Sequence, residues 1–287
     1  NEARIGSGGN IVADGLTLEA VTGAGSGTPT NAHQFSAVST SGAGSDGVSV
    51  AGSFSLNVVN VTTVASLPGF ASTNLNGGDL RVRADSSTTT DAQALPEGIG
   101  ASGSSVGVGA SVALNVVDTT TTATIADGAT LDGTMANVVI QAVGAHNVKT
   151  TAKNGAGAGA SDSGDGVGVG AGVALAIVSH HKTAYLGAGN VPTDTLNASG
   201  SVTIQSAHAS AALTEASGDG AGGSVGVGAS VGINILSDDV RAQARRNVAA
   251  GGAITVESQV AAGSVDTVKA SAQGNSEDGK SADSEAD

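Results

Sequence analysis

Histidine is the residue in this chain best suited to metal binding or acid–base chemistry, because its side chain titrates near neutral pH and offers a nitrogen ligand. The sequence contains five, which are His33, His146, His180, His181 and His208. The adjacent pair His180–His181 would point to opposite faces of a strand, or sit together in a corner after one. No acidic or cysteine residue accompanies the pair at the spacing of a metal site. We therefore expect a solvated corner rather than a metal ligand here.

Other patterns that carry chemistry are incomplete. The glycine-rich strings "GSGGN" at Gly6 and "GAGAGAS" at Gly155 would let a phosphate approach the backbone, but no Lys-Ser/Thr pair or amphipathic helix follows either. Serine is plentiful, but no defined order of triad residues accompanies it. Nothing marks a cleft at the carboxylate pair Asp238–Asp239. The sequence thus predicts no catalytic residue, no cofactor-binding residue and no enzyme activity, and it leaves metal ligands undetermined.

Composition and charge exclude several kinds of partner. The chain has 25 acidic and 11 basic residues, with a net charge of −14. Nucleic acids and anionic membranes select clustered Lys and Arg, so we expect neither as a partner. No apolar run reaches the roughly 18 residues of a membrane helix, so no membrane insertion is predicted. The chain begins abruptly at Asn1 without a recognisable signal peptide, and we expect a piece of a longer protein.

The core must be built from small side chains. Hydrophobic residues make up 39% of the chain, yet it has no Trp, one Tyr, three Phe and one Met. Large side chains normally supply much of a globular core. Thin, closely packed sheets are therefore expected.

A twelve-residue segment recurs four times, and we call its copies the anchor segments. They are "VSVAGSFSLNVV" at Val48, "VGVGASVALNVV" at Val106, "VGVGAGVALAIV" at Val167 and "VGVGASVGINIL" at Val225, spaced by 58, 61 and 58 residues. A second motif recurs between them, as in "NVVIQA" and "SVTIQS". A period near 59 indicates a single repeat array. It divides 1–287 into a half repeat 1–47, repeats 48–105, 106–166, 167–224 and 225–282, and an acidic end 275–287.

Each anchor segment alternates with the period of a strand. In the second anchor, the even positions from Val106 to Val116 form one apolar face, and Gly107 to Asn115 form a face of tiny residues. We predict that the Val and Leu face is buried, and that another sheet or coil approaches the small face closely. A corner near Asp118 to Thr120 is predicted because the apolar phase changes there. Little or no helix is expected.

The pattern favours an all-β fold, a parallel β-solenoid of right-handed β-helix type with repeats of about 59 residues. Dividing a repeat by three gives coils of about 20 residues, and a twelve-residue strand is too long for one side of a small triangular coil. Either the anchor segments bend at their glycines or the cross-section is flattened. β-Sandwich modules and a transmembrane β-barrel are the rival folds, although a barrel needs aromatic girdles. Threonine clusters at 86–91 and 118–124 suggest an ice-binding ladder, but they are irregular between repeats.

Acidic residues recur near the anchor segments. Asp46 and Asp165 each lie two residues before an anchor, and Asp219 lies six before. Asp162, Glu277 and Asp278 occupy similar positions. "SGAGSDGVS" at Ser41 approximates the calcium nonapeptide of β-helix repeats. We expect a solvated acidic edge that deters edge pairing, with no cofactor, and keep calcium binding as the alternative.

The stretches "VGVGASVALNVVDTTTTATIADGATL…NVVIQAVG" and "GSVTIQSAHASAALTEASGDGAGGSVGVGASVGINI" resemble the repeat region of giant bacterial surface proteins. These are the filamentous-haemagglutinin-like and leukotoxin-like exoproteins with right-handed β-helix stalks. The similarity covers about residues 8–271. It implies a secreted or cell-surface location and a role in adhesion or display, and it carries over no functional residues.

The sequence and this resemblance together predict an extracellular structural segment of a bacterial adhesin, acting as a rigid stalk or adhesion module. Its partners would be a host or neighbouring-cell surface or a polysaccharide. One alternative is a self-assembling filament or sheath subunit that associates end to end. A second is a carbohydrate-active β-helix enzyme.

Overall fold

The computed structural model describes residues 1–23, 32–158 and 165–274. Within these ranges the chain forms strands joined by turns and contains no helix, which confirms the all-β prediction. The strands are β1 (Glu2–Arg4), β2 (Asn10–Val12), β3 (Leu16–Thr22), β4 (His33–Ser45), β5 (Val48–Leu67), β6 (Ser72–Asn74), β7 (Leu80–Gly103), β8 (Val106–Ile125), β9 (Thr130–Asp132), β10 (Thr134–Met135), β11 (Val138–Ala158), β12 (Val167–Leu186), β13 (Thr195–Ala198), β14 (Val202–Gly222), β15 (Val225–Ala244), β16 (Asn247–Ala250) and β17 (Ile254–Gln273). No helix of membrane-spanning length and apolarity occurs in this part of the chain.

The first long sheet has the order β1-β5-β8-β12-β15, and every neighbouring pair is parallel. It stacks the four anchor segments residue upon residue. Val106 lies between Val48 and Val167, and Val167 pairs in turn with Val225. The pairing continues without a register shift to the ends of these strands.

The second long sheet has the order β17-β14-β11-β7-β3, with β4 also paired to β7. Its pairs are parallel too, and Leu80, Val138, Val202 and Ile254 occupy equivalent positions. Two three-stranded parallel sheets, β2-β6-β9 and β10-β13-β16, complete the described structure.

The two long sheets face each other through the small-residue face of the anchor segments, so the predicted burial of the Val and Leu face is wrong. In β8 the residues Gly107, Ser111 and Asn115 are buried. The opposite face points outward: Val58 and Phe54 of β5 are 68% and 57% exposed. Closeness of another sheet to the small face, also predicted, is confirmed.

The reason for this orientation is the short distance between the two backbones. A Cβ added at Gly107 would lie 2.5 Å from the carbonyl oxygen of Gly157 on β11. On β12 a Cβ at Gly170 would overlap the backbone of Asp219. Such an approach admits only Gly at these two positions, and strand alternation then turns the even-numbered Val residues of β8 outward.

The predicted corner near Asp118 to Thr120 is also wrong. β8 runs unbroken from Val106 to Ile125, and its buried positions remain odd-numbered throughout. What changes along the strand is the size of the inward side chain, because Ala123 and Ile125 replace glycine. The two long sheets are therefore farther apart at the Ile125 end of β8, and larger residues fill the space between them. The fully buried large apolar side chains there are Leu67, Leu75, Leu80, Ile125, Met135, Ile140, Leu186, Leu196 and Ile204.

Candidate functional site

A layer of polar side chains crosses the core between a small valine-rich cluster and the large apolar cluster. Along β12 it follows Val178 and precedes Ala184. We call it the polar layer, and its buried members are Thr88, Thr119, His146, His180, Lys182 and His208, together with the side chain of Asp238, which is 7% exposed.

Strand alternation and register place the members from the first sheet. On β12 the inward positions are even-numbered, so both His180 and Lys182 enter the core while His181 points outward. In-register pairing sets His180 between Thr119 of β8 and Asp238 of β15.

The second sheet contributes the other two imidazoles. His146 of β11 pairs with Thr88 of β7, and His208 of β14 pairs with Gly144 of β11. The missing side chain at Gly144 leaves the space that the end of Lys182 occupies. The ring centroids of His146 and His180 are 4.6 Å apart and stacked, and those of His180 and His208 are also 4.6 Å apart.

Thr119 Oγ1 is the centre of the hydrogen-bond network in this layer. It lies 2.7 Å from His180 Nδ1 and 3.4 Å from His146 Nε2, and it accepts a hydrogen bond from Lys182 Nζ at 3.1 Å. A proton on His180 Nε2 would have no acceptor among the described residues. We therefore assign the proton of His180 to Nδ1, which donates to Thr119. The single hydroxyl hydrogen of Thr119 then goes to His146, whose Nδ1 donates to Thr88 at 2.6 Å.

Four atoms of the layer have no hydrogen-bond partner in the described chain, namely His180 Nε2, Asp238 Oδ1 and both ring nitrogens of His208. His208 Nε2 lies 3.2 Å from Asp238 Oδ1, but the arrangement is not that of a hydrogen bond. The other carboxylate oxygen of Asp238 accepts a hydrogen bond from Ser210 Oγ at 3.0 Å. Unpaired buried polar atoms are costly, so this corner of the layer requires an explanation.

Burial makes the imidazoles of the layer neutral. Desolvation lowers the pKa of His180 to about 3 and that of Lys182 to about 7. Desolvation also lowers the pKa of His146 and of His208, and the nearby charge of Lys182 lowers both further. Each ring therefore keeps one nitrogen lone pair at neutral pH, and the contact of His208 with Asp238 is not an ion pair there.

The structure separates the histidines that the sequence presented together. The expected solvated corner at His180–His181 is wrong for His180, which is buried, whereas the side chain of His181 is 48% exposed. Asp238 and Asp239 diverge in the same way, Asp238 facing His208 and Asp239 lying 3.8 Å from His181. His33 is exposed on β4.

Sequence reasoning missed the polar layer, although one signal was present. Aligning the anchor segments puts Thr119, His180 and Asp238 at equivalent positions. Aligning the second motif puts Gly144 beside His208. Stacked polar residues at one inward position of an array indicate a shared buried layer.

The remaining candidates from the sequence are dispersed. Asp46 precedes β5, Asp165 precedes β12, and Asp219 is exposed on β14. Asp162, Glu277 and Asp278 lie outside the described residues. Within the described ranges, the one set of three side chains close enough to hold a cation is His180, His208 and Asp238. Calcium binding at the acidic edge stays a prediction.

The glycine strings and threonine clusters also occupy ordinary positions. Gly6 lies between β1 and β2, and Gly155 is on β11. In the threonine clusters Thr88, Thr90, Thr119 and Thr121 are buried. About half of each cluster therefore contributes to the core instead of to an outer ladder.

Comparison of the chain with protein-family models, with curated proteins and with solved structures finds no match. The function of this chain is therefore inferred from its own residues and geometry, and from its sequence resemblance to surface exoproteins.

Proposed function

We propose that this chain is a segment of a right-handed parallel β-solenoid in which each repeat of about 59 residues forms one flattened coil. The in-register pairing of successive anchor segments carries the proposal. The second sheet supports it, because its strands also pair with their equivalents one repeat later. A 20-residue strand is about 65 Å long, and each coil adds about 4.8 Å along the axis.

The proposed role is mechanical, as an extracellular stalk or adhesion module of a bacterial surface protein. Continuous ladders of backbone hydrogen bonds run along the axis, so a pulling force would load many bonds at once. The resemblance to surface exoproteins supports display towards a host or neighbouring-cell surface or a polysaccharide. The titratable groups of the polar layer are buried between the two sheets, which favours this role over a carbohydrate-active enzyme.

Single-molecule force spectroscopy tests the proposal. Pulling the two ends apart should peel off one coil at a time, and each event should release about 200 Å of chain, the extended length of about 59 residues. A single rupture that releases the whole chain would show that the coils are not separate mechanical units.

The sheet edges favour a filament subunit as a second candidate. No described strand covers the outer edge of β15 or β17, and β5 is covered only by the three residues of β1. A second copy could stack its β5 on β15 with the anchor segments in register. Sedimentation analysis over a range of concentrations should then show growing linear assemblies, and a constant monomer mass would reject this candidate.

A further inference from the structure

The polar layer contains a set of metal ligands that the mechanical role does not use. We infer that His180, His208 and Asp238 bind one divalent transition-metal ion, for which Zn²⁺ matches two imidazoles and a carboxylate. One ligand atom from each residue lies within 4.8 Å of the other two.

Only small side-chain rotations are needed to close this set around an ion. Ligand atoms around a tetrahedral zinc ion are about 3.3 Å apart, given bond lengths near 2.0 to 2.1 Å. His208 Nε2 and Asp238 Oδ1 are already 3.2 Å apart. An ion would also compensate three of the four buried atoms of the layer that have no hydrogen-bond partner in the described chain, which are His180 Nε2, His208 Nε2 and Asp238 Oδ1.

Neighbouring residues orient the ligands towards the ion position. Thr119 accepts the Nδ1 proton of His180, which leaves the lone pair on Nε2. Ser210 donates to Asp238 Oδ2, which leaves Oδ1 for the metal. Outer partners of this kind fix the tautomer and orientation of ligands in metal sites.

The other charged and aromatic members of the layer have different roles. His146 is not a ligand, because both of its nitrogens face threonine hydroxyls. Lys182 is held on Thr119 and opposes a cation through its own positive charge. A groove of about 820 Å³ is lined in part by Gly144 and His208, and an ion would enter the layer from this side.

The test is titration of the chelator-treated chain with Zn²⁺ in competition with a chromophoric chelator, combined with thermal melting. We expect one ion per chain and a higher melting temperature. His180→Gln and Asp238→Asn should each weaken binding more than about 100-fold, and Thr119→Val about 10- to 100-fold. Lys182→Met should bind more tightly.

The matched control is the double variant His181→Gln with Asp239→Asn, which alters the exposed pair on the other face of the same strands. Its affinity should equal that of the unchanged chain. Histidine ¹⁵N spectra of the unchanged chain give a readout without any substitution: Zn²⁺ should shift the ring nitrogens of His180 and His208 and leave His33 and His181 unchanged. The inference is overturned if no saturable binding of one ion occurs, or if the control loses binding while the spectra of His180 and His208 stay constant.

Discussion

Lys182 Nζ donates a hydrogen bond to Thr119 Oγ1 across 3.1 Å in a part of the core that solvent does not reach. Desolvation is the main reason that the pKa of Lys182 is lowered to about 7, and the carboxylates of Asp118 and Asp238 oppose this only in part. The imidazoles that surround it belong to His146, His180 and His208. A fully buried lysine in this setting links the protonation of the core to the stability of the fold.

The metal-free chain should become more stable as the pH rises from about 7 towards 10.5. In this window the unfolded chain holds a proton on Lys182 that the folded chain has released, because the pKa falls from its ordinary value of 10.5 to about 7 on folding. The free energy of unfolding should rise by up to about 1.4 kcal/mol per pH unit. Chemical denaturation with a chelator present, at pH 7.5 and at pH 9, measures the slope. Lys182→Met should reduce this increase of the free energy of unfolding with pH, whereas Lys149→Met, at an exposed position, should leave it unchanged. Equal slopes in all three proteins would contradict the lowered pKa of Lys182.

Charge substitutions at neighbouring positions should reveal which face of β8 is buried. Asn115 is fully buried and donates through Nδ2 to the carbonyl oxygen of Lys149 at 3.1 Å. Asn115→Asp should therefore cost several kcal/mol, on the order of 3, because a buried carboxylate would face a carbonyl oxygen. Leu114→Asp, on the outward face, should cost about 1 kcal/mol or less. Melting temperatures measure the difference. A lower melting temperature for Leu114→Asp than for Asn115→Asp would mean that the Val and Leu face is the buried one, as the sequence predicted.

Alanine scanning of glycines should distinguish the close contact between the sheets from open positions. Gly107→Ala would place Cβ 2.5 Å from the carbonyl oxygen of Gly157 and should destabilise the fold by about 1–3 kcal/mol. Gly263→Ala on β17 meets nothing within 4 Å and should be neutral or slightly stabilising. Denaturant midpoints of the two variants provide the comparison. Similar midpoints would mean that the sheets do not approach as closely as described.

Removal of residues 106–166 should leave a folded, shorter array. This deletion joins Ser105 to Val167. β5 can then pair with β12 in the same register in which both strands pair with β8 in the unchanged chain. Removal of 106–135 alone should disrupt folding, because β7 would be followed by β11 of the same sheet with no strand of the first sheet between them. Circular dichroism and cooperative melting distinguish the two. Complete unfolding of the whole-repeat deletion would refute modular coils.

Much of the secondary structure follows from local sequence. Alternation of Val with small residues predicts strands, and the glycine, threonine and serine content excludes helices, because both properties act within a few neighbouring residues. Recurrence of the anchor segments identified the segments that pair, since identical side-chain patterns favour stacking in register. Both expectations agree with the paired strands of the structure.

Only the tertiary structure decided which face of each anchor segment is inside. Both faces of Val106 to Val116 are apolar or small, and burial of hydrophobic area alone would place Val in the core. The backbone of the second sheet lies too close for larger side chains, because even a Cβ at Gly107 would lie 2.5 Å from the carbonyl oxygen of Gly157, so the smaller face is buried. The meeting of His180 with His208 depends likewise on the alignment of one sheet against the other. No periodicity within either strand encodes that alignment, because it is set by packing across the core.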